Sequence, residues 1–276
     1  MNILLTGSST GIGRSLAENL VGSGHRLWGL ARSSQTPLTL VNSPDHFTPL
    51  RCDVSEWAQV DATFSQLAGQ INHLDAIITC AGIHGEIGPV FSVDPKKWSQ
   101  TIRANLDGTF YTLRAGRALL KRAPRRAKVI CFSGGGATKA RANFSAYGVA
   151  KTGIVRLVEN IAEESRGEPL DINALAPGSI NTRLTDEIIR LGPALAGAAE
   201  FSGAVKQKEA KGGSLQHVLG LIDFLLSEKS DGITGRLLAA PWDPWSTLDE
   251  HAATLAASDI YTLRRILPED RGRKFD

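Results

Sequence analysis

The chain has 276 residues, 42% hydrophobic and 21% charged, and its 31 basic and 28 acidic side chains leave a formal net charge of +3. That balance gives no bulk-charge argument for a nucleic-acid or membrane partner, and the length suits one α/β unit or two small domains. Cys52, Cys80 and Cys131 are scattered in apolar runs without metal-ligand spacing, as buried thiols of a reducing compartment would be. The opening "MNILLTG" carries no basic leader, and no stretch approaches the roughly 18 apolar residues of a membrane span. The expectation is a soluble, cytoplasmic protein.

The first strand candidate, "NILLT" (2–6), runs into "TGSSTGIG" (6–13) and then a helical pattern from Arg14 to Val21. In such a strand–turn–helix unit Gly7 permits the tight turn, Gly11 lets a diphosphate approach the backbone, and Gly13 lets helix and strand pack closely. With Ser9, Thr10 and Ile12 they form a candidate cofactor-binding turn, whose helix N-terminus offers free N–H groups to phosphate. The second strand, "RLWGLA" (26–31), ends on Ala31, Arg32 and Ser33, where a site for NAD usually carries an acidic residue for the ribose. An arginine there suits a 2′-phosphate, so NADP(H) is expected ahead of NAD(H).

Further strands are expected at 47–54, 74–82, 127–133, 170–178 and 235–240, with helical patterns near 56–69, 95–122, 145–165 and 214–228. Near-continuous apolar strands separated by helices imply an α/β fold of the Rossmann type. About seven strands would form a doubly wound parallel sheet with helices on both faces. Residues 1–240 show no linker and read as a single domain. Residues 183–212, rich in Ala and Gly after a Pro-Gly turn, have the composition of a mobile flap. Residues 241–276 add an extension with Trp242, Trp245 and a helix from about Leu248.

In "SAYGVAKTG" (145–153), Tyr147 and Lys151 are four positions apart and share one helix face. An ammonium beside a phenol stabilises phenolate and lowers a pKa that otherwise sits near about 10. The pair is therefore a candidate proton donor and acceptor.

Together, "TGSSTGIG", "CDV" (52–54), "TCAG" (79–82), Asn105 in "RANLDGTF", Ser133, "YGVAK" (147–151) and "APGSINT" (176–182) resemble the short-chain dehydrogenase/reductase family. The resemblance covers residue 2 to about 240 and lies with the family's single-domain, Tyr-x-x-x-Lys branch. It implies a catalytic set of Asn105, Ser133, Tyr147 and Lys151. Ser133 would polarise the substrate carbonyl, and Asn105 would anchor a water chain to solvent. It also implies that Asp53 and Val54 hold the adenine, that Cys80, Ala81 and Gly82 pass beside the ribose, and that Pro177, Gly178, Ile180 and Thr182 hold the nicotinamide.

Three departures stand out. Ser133 lies one residue further from Tyr147 than the family's serine, the nearer position being Gly134; the run "FSGGGAT" is expected to absorb the extra residue, with Thr138 in reserve. "TCAG" replaces Asn-Asn-Ala-Gly, removing amides that brace the central strand. The tail departs from the glycine-rich end that packs relatives into tetramers, so a homo-oligomer, dimer or tetramer, is expected without its subunit count.

The expected activity is hydride transfer between NADP(H) and a small-molecule ketone or secondary alcohol. A sugar-nucleotide epimerase or dehydratase is the enzymatic alternative, and a silent NADP-binding regulator the non-enzymatic one. The rim segments carry His84, Glu86, Lys139, Arg141, Asn143, Phe144 and Arg183. Its three cations either favour an anionic substrate or are ordinary surface charge.

Overall fold

Side chains of a strand alternate between its two faces, so a strand apolar at every position needs cover on both sides. In the computed structural model, which describes residues 1–35, 46–210 and 215–275, seven strands meet that requirement. They are β1 (Asn2–Thr6), β2 (Arg26–Ala31), β3 (Phe47–Arg51), β4 (Ala76–Thr79), β5 (Ala127–Phe132), β6 (Leu170–Ala176) and β7 (Leu237–Ala239). They form one parallel sheet in the order β3-β2-β1-β4-β5-β6-β7. Pro49, which cannot donate to a ladder, sits on the edge strand β3.

The alternation divides the core. Ile3 and Leu5 face one layer with α1 (Gly11–Gly22) and α8 (Leu215–Leu226). Leu4 faces the other, with α2 (Trp57–Ala68), α4 (Gly108–Leu120) and α5 (Ser145–Glu164). The expected helix over 95–122 is three pieces: α3 (Pro95–Ile102), a π-helical turn (Arg103–Asp107) and α4. Asp94 starts α3 by accepting from Lys96 N and Lys97 N, with Pro95 at the first helical position.

The segment expected as a flap is two helices, α6 (Arg183–Ala196) and α7 (Ala198–Glu209). The chain breaks at Gly192 (φ 75°) and turns at Gly197 (φ 92°). Residues 211 and 212 of that flap, and Ser214 of the expected last helix, lie outside the described residues. Among the described residues no helix is long and apolar enough to cross a membrane.

The extension folds back on its own sheet. A 3-10 turn (Trp245–His251) and α9 (Ala252–Ala256) place the Trp245 ring over Gly220 of α8 and 6.3 Å from Phe224, with its indole N–H on Ala240 O at 2.9 Å. The Arg236 guanidinium donates to the carbonyls of Leu255, Ser258 (2.9 Å) and Ile260 (2.8 Å), and Leu237 N donates to Tyr261 O at 2.8 Å. Trp242, by contrast, is 71% exposed. Trp245→Ala is therefore expected to cost about 2–4 kcal/mol in thermal unfolding, and Trp242→Ala less than about 0.5 kcal/mol.

Candidate active site

Strand order reverses between β1 and β4, and in open α/β sheets the crevice at such a point receives the ligand. A cavity of about 770 Å³ opens there. At its floor Gly7 (φ 77°) lies so close to the next turn that a Cβ would meet Ala81 backbone at 2.8 Å, and a Cβ on Gly13 would strike Gly7 O at 2.2 Å. No side chain fits in this cradle, which is what a diphosphate on backbone N–H groups requires. Ser9, Thr10, Gly11 and Ile12 line the same end.

Arg32 and Ser33, just past β2, line the cavity. Ser33 Oγ bonds Ser9 Oγ at 3.1 Å, while Arg32 is 61% exposed and 3.9 Å from the Asp53 carboxylate. Asp53 Oδ1 is held by the Ser55 hydroxyl (2.7 Å) and N–H (3.0 Å). Cys80, Ala81 and Gly82 follow β4 along the wall with Val54. The brace that the missing amides would supply comes instead from Thr6, whose hydroxyl accepts from Cys80 N and Ala81 N, both at 3.1 Å. Burial pushes the Cys80 and Cys131 thiols up to about 12, which disfavours the thiolate.

Tyr147 and Lys151 project from the first turns of α5 into the same cavity. The ammonium lies 5.6 Å from the centre of the phenol ring and donates to Phe132 O at 2.8 Å. Ser133 Oγ returns a bond to Lys151 O at 3.1 Å. The end of β5 and the start of α5 are thus stitched in both directions. Burial, and not the lysine, dominates the balance at the tyrosine. Burial raises the Tyr147 pKa, partly offset by the Arg141 charge, and burial also lowers Lys151 to about 8.

Two residues of this corner have bonding partners of their own. Ser133 lines the cavity but spends its hydroxyl on Lys151 O, whereas a Cβ on Gly134 would sit 3.1 Å from Tyr147 Oη. Gly134 therefore packs directly beside the phenol oxygen. Thr138 is exposed and outside the cavity lining. Asn105, at 0% exposure, has its side chain engaged by backbone on every side. Its amide donates to Ile83 O (2.9 Å) and Thr101 O (2.8 Å), and its carbonyl accepts from Ile83 N (3.2 Å). It braces the loop behind the wall, close enough that a Cβ on Gly82 would lie 2.7 Å from Asn105 Oδ1.

Of the residues expected to hold the nicotinamide, Pro177 and Thr182 line the cavity. Gly178 (φ 73°) instead packs on Pro241, and Ile180 joins the core. The rim also differs from the sequence expectation. Of the three cations, Arg183 alone lines the cavity; Lys139 is exposed elsewhere, and Arg141 stacks 3.8 Å from the Phe144 ring and pairs with Glu200 of α7 at 2.7 Å. Glu86 is tied to Lys97 (3.2 Å) and Asp94 N (2.7 Å). His84 is buried, edge-on to Tyr147 (4.9 Å) and Phe144 (5.4 Å), with Nδ1 3.5 Å from Glu187 and its pKa lowered by burial.

Leu184, Asp186, Glu187 and Arg190 join the lining without having been anticipated. Arg183, Asp186, Glu187 and Arg190 follow an i, i+3, i+4, i+7 pattern, one helix face. That spacing could have been found in the sequence.

A dinucleotide cradle that leads to a tyrosine–lysine pair defines an oxidoreductase that works on CH–OH or carbonyl groups with a nicotinamide cofactor. The chain belongs to the short chain dehydrogenase family, whose sequence pattern matches residues 1–190. It is 28% identical over 241 residues to 3-oxoacyl-acyl-carrier-protein reductase MabA of Mycobacterium avium, covering 86% of this chain and 87% of that one. It is 26% identical to the reductase of the same description, FabG, of Salmonella typhimurium, covering 85% and 93%. The crystal structure of levodione reductase superposes with a TM-score of 0.75 at 26% identity, over 86% of this chain and 94% of that one.

Two measurements probe the cradle and the buried lysine. Gly13→Ala is expected to weaken NADPH binding at least tenfold by fluorescence titration, with the helical circular dichroism retained. Lys151 keeps its proton to 10.5 in the unfolded chain and only to about 8 when folded. The unfolded state therefore binds more protons between those values, and this residue's contribution to stability rises with pH across that window. The Tm difference between wild type and Lys151→Met should shift in favour of wild type from pH 7.5 to 10.5.

Proposed function

We propose that the protein interconverts a ketone and a secondary alcohol with NADP(H), Tyr147 exchanging the proton with the substrate oxygen. One observation carries this reading: Tyr147 and Lys151 line the cavity whose other end is the glycine cradle. A bound nicotinamide supplies or accepts the hydride. The side chains do the rest. Tyr147 gives its phenolic proton to the forming alkoxide in reduction and takes it back in oxidation. Lys151, already bonded to Phe132 O, has ammonium hydrogens left for the nicotinamide ribose and brings positive charge to the phenol as phenolate forms. Asn105 and the β5–α5 stitch keep the two aligned by fixing the loops on either side.

The preference for NADP(H) rests on Arg32, Ser33 and Ser9, which border the adenosine end where a carboxylate would otherwise meet the ribose. The argument for an anionic substrate loses its support, since Asp186 and Glu187 stand beside Arg183 and Arg190 on the lining face of α6. A polar, charge-balanced wall suits a neutral hydroxylated molecule better. Neither the epimerase nor the silent-regulator alternative is favoured.

Tyr147→Phe should lower kcat by about 10²–10⁴-fold and leave NADPH binding intact. Arg32→Ala should raise the KM for NADPH at least tenfold and leave that for NADH unchanged. Similar KM values for both cofactors in the wild type would overturn the NADP(H) assignment.

A further inference from the structure

Tyr147 can exchange a proton only if its phenolate is within reach of the working pH. Burial opposes that form, and the positive charge that counters it is Arg141. The guanidinium lies 6.0 Å from the centre of the Tyr147 ring and 3.8 Å from that of Phe144, with 20% of its side chain exposed. A cation over a ring at such distances is held electrostatically as well as by packing. Arg141 does not line the cavity, so it reaches the reaction through the tyrosine.

The loop before α5 is shaped to bring it there. Asn143 takes a left-handed backbone (φ 68°), which asparagine tolerates better than most residues. Asn143 O accepts from Gly88 N at 2.9 Å, and Phe144 N donates to Arg141 O at 3.3 Å. From α7, the Glu200 carboxylate pairs with the guanidinium at 2.7 Å and offsets part of its charge. Other ionisable groups surround the phenol. Lys151 is on α5, Cys80 follows β4, and His84 lies on the next loop with Glu187 of α6 3.5 Å from its Nδ1. Burial holds the thiol protonated up to about 12 and keeps the imidazole neutral in alkaline solution. Lys151 loses its proton at about 8, whereas a guanidinium keeps its charge throughout. Of these groups, only Arg141 is cationic above that pH.

We propose that Arg141 is a positioning residue for proton transfer, its charge favouring the phenolate of Tyr147 and Glu200 setting how much of that charge the ring receives. The inference rests on the hydride-transfer reading above and adds a second cation to it. In oxidation the alcohol carbon gives a hydride to the nicotinamide and its hydroxyl gives a proton to the phenolate; in reduction both return. The same ion pair docks α7 on the loop before α5, and breaking it at either end loosens that contact. The electrostatic effects of the two breaks are opposite in sign. Removing the arginine disfavours phenolate, and removing the carboxylate favours it.

The test reads the Tyr147 titration directly, as the near-ultraviolet absorbance of phenolate with oxidised NADP bound. Each protein is measured against its own Tyr147→Phe counterpart, and the pH profile of kcat/KM in alcohol oxidation is recorded beside it. Arg141→Gln is expected to raise the midpoint by about one pH unit, and so to slow oxidation about tenfold at neutral pH. Glu200→Gln should lower the midpoint and speed oxidation at that pH. Arg141→Lys, which keeps the charge, should stay closer to wild type than Arg141→Gln does. A Glu200→Gln midpoint that is unmoved or raised would overturn the inference, as would an unmoved or lowered one in Arg141→Gln; the pair would then serve docking alone. If Arg141→Gln does not fold, the sign of the Glu200→Gln shift decides. Turnover with unmoved midpoints would overturn the inference and leave hydride transfer standing. Opposite shifts in an enzyme idle with every alcohol and carbonyl would overturn the hydride-transfer reading and leave the coupling of charge to phenol standing.

Discussion

The reciprocal bonding between the end of β5 and the start of α5 underlies the catalytic corner. Lys151 Nζ donates to Phe132 O, and Ser133 Oγ donates to Lys151 O, so each element holds the other at adjacent residues. Backbone carbonyls at a strand end would otherwise be left to water. Here they locate an ammonium that burial would prefer to neutralise, and the phenol one turn earlier inherits its position from the same helix. The charge has little freedom to swing away, and the tyrosine ring is packed edge-on by His84. The geometry that makes a proton shuttle is thus largely a by-product of joining a strand to a helix securely.

Much of this was legible in the chain itself. Uninterrupted apolar runs pointed to the parallel sheet, and "TGSSTGIG" between a strand and a helix to the cradle, because any side chain at Gly13 would collide with Gly7 O. Tyr147 and Lys151 share a face for the simple reason that four residues make about one turn. What the chain left open was one residue of register. The offset between Ser133 and Gly134 reverses which of them faces the phenol, and nothing in a run of glycines says where the backbone will place its single serine. The rim failed for a different reason. A charged residue near a mouth in sequence can spend itself on a neighbour in space, as Arg141 does on Glu200 and Phe144. Lys128 shows the same limit in the core: it stands within a buried strand because Asp171, Ser230 and Asp231, distant in sequence, surround its ammonium.

The cavity combines two electrostatic regimes. Near the phenol the wall is dry, and burial opposes ionisation of every group there, lifting Tyr147 and the thiols and depressing Lys151 and His84. Along α6 the wall is exposed and carries both signs of charge. Charges interact strongly in the first zone, and water screens them in the second. A ligand that spans both must be polar at one end and reactive at the other.

The docking of Tyr261 O on Leu237 N has a consequence unrelated to catalysis. A parallel sheet has two margins, and an unprotected margin invites strands from other molecules. One margin here is short and interrupted by Pro49. The other is bonded by the chain's own last segment, with Arg236 clasping three of its carbonyls. The segment beyond the final strand thus serves as a selvedge, finishing the fabric at that border with the chain's own carbonyls.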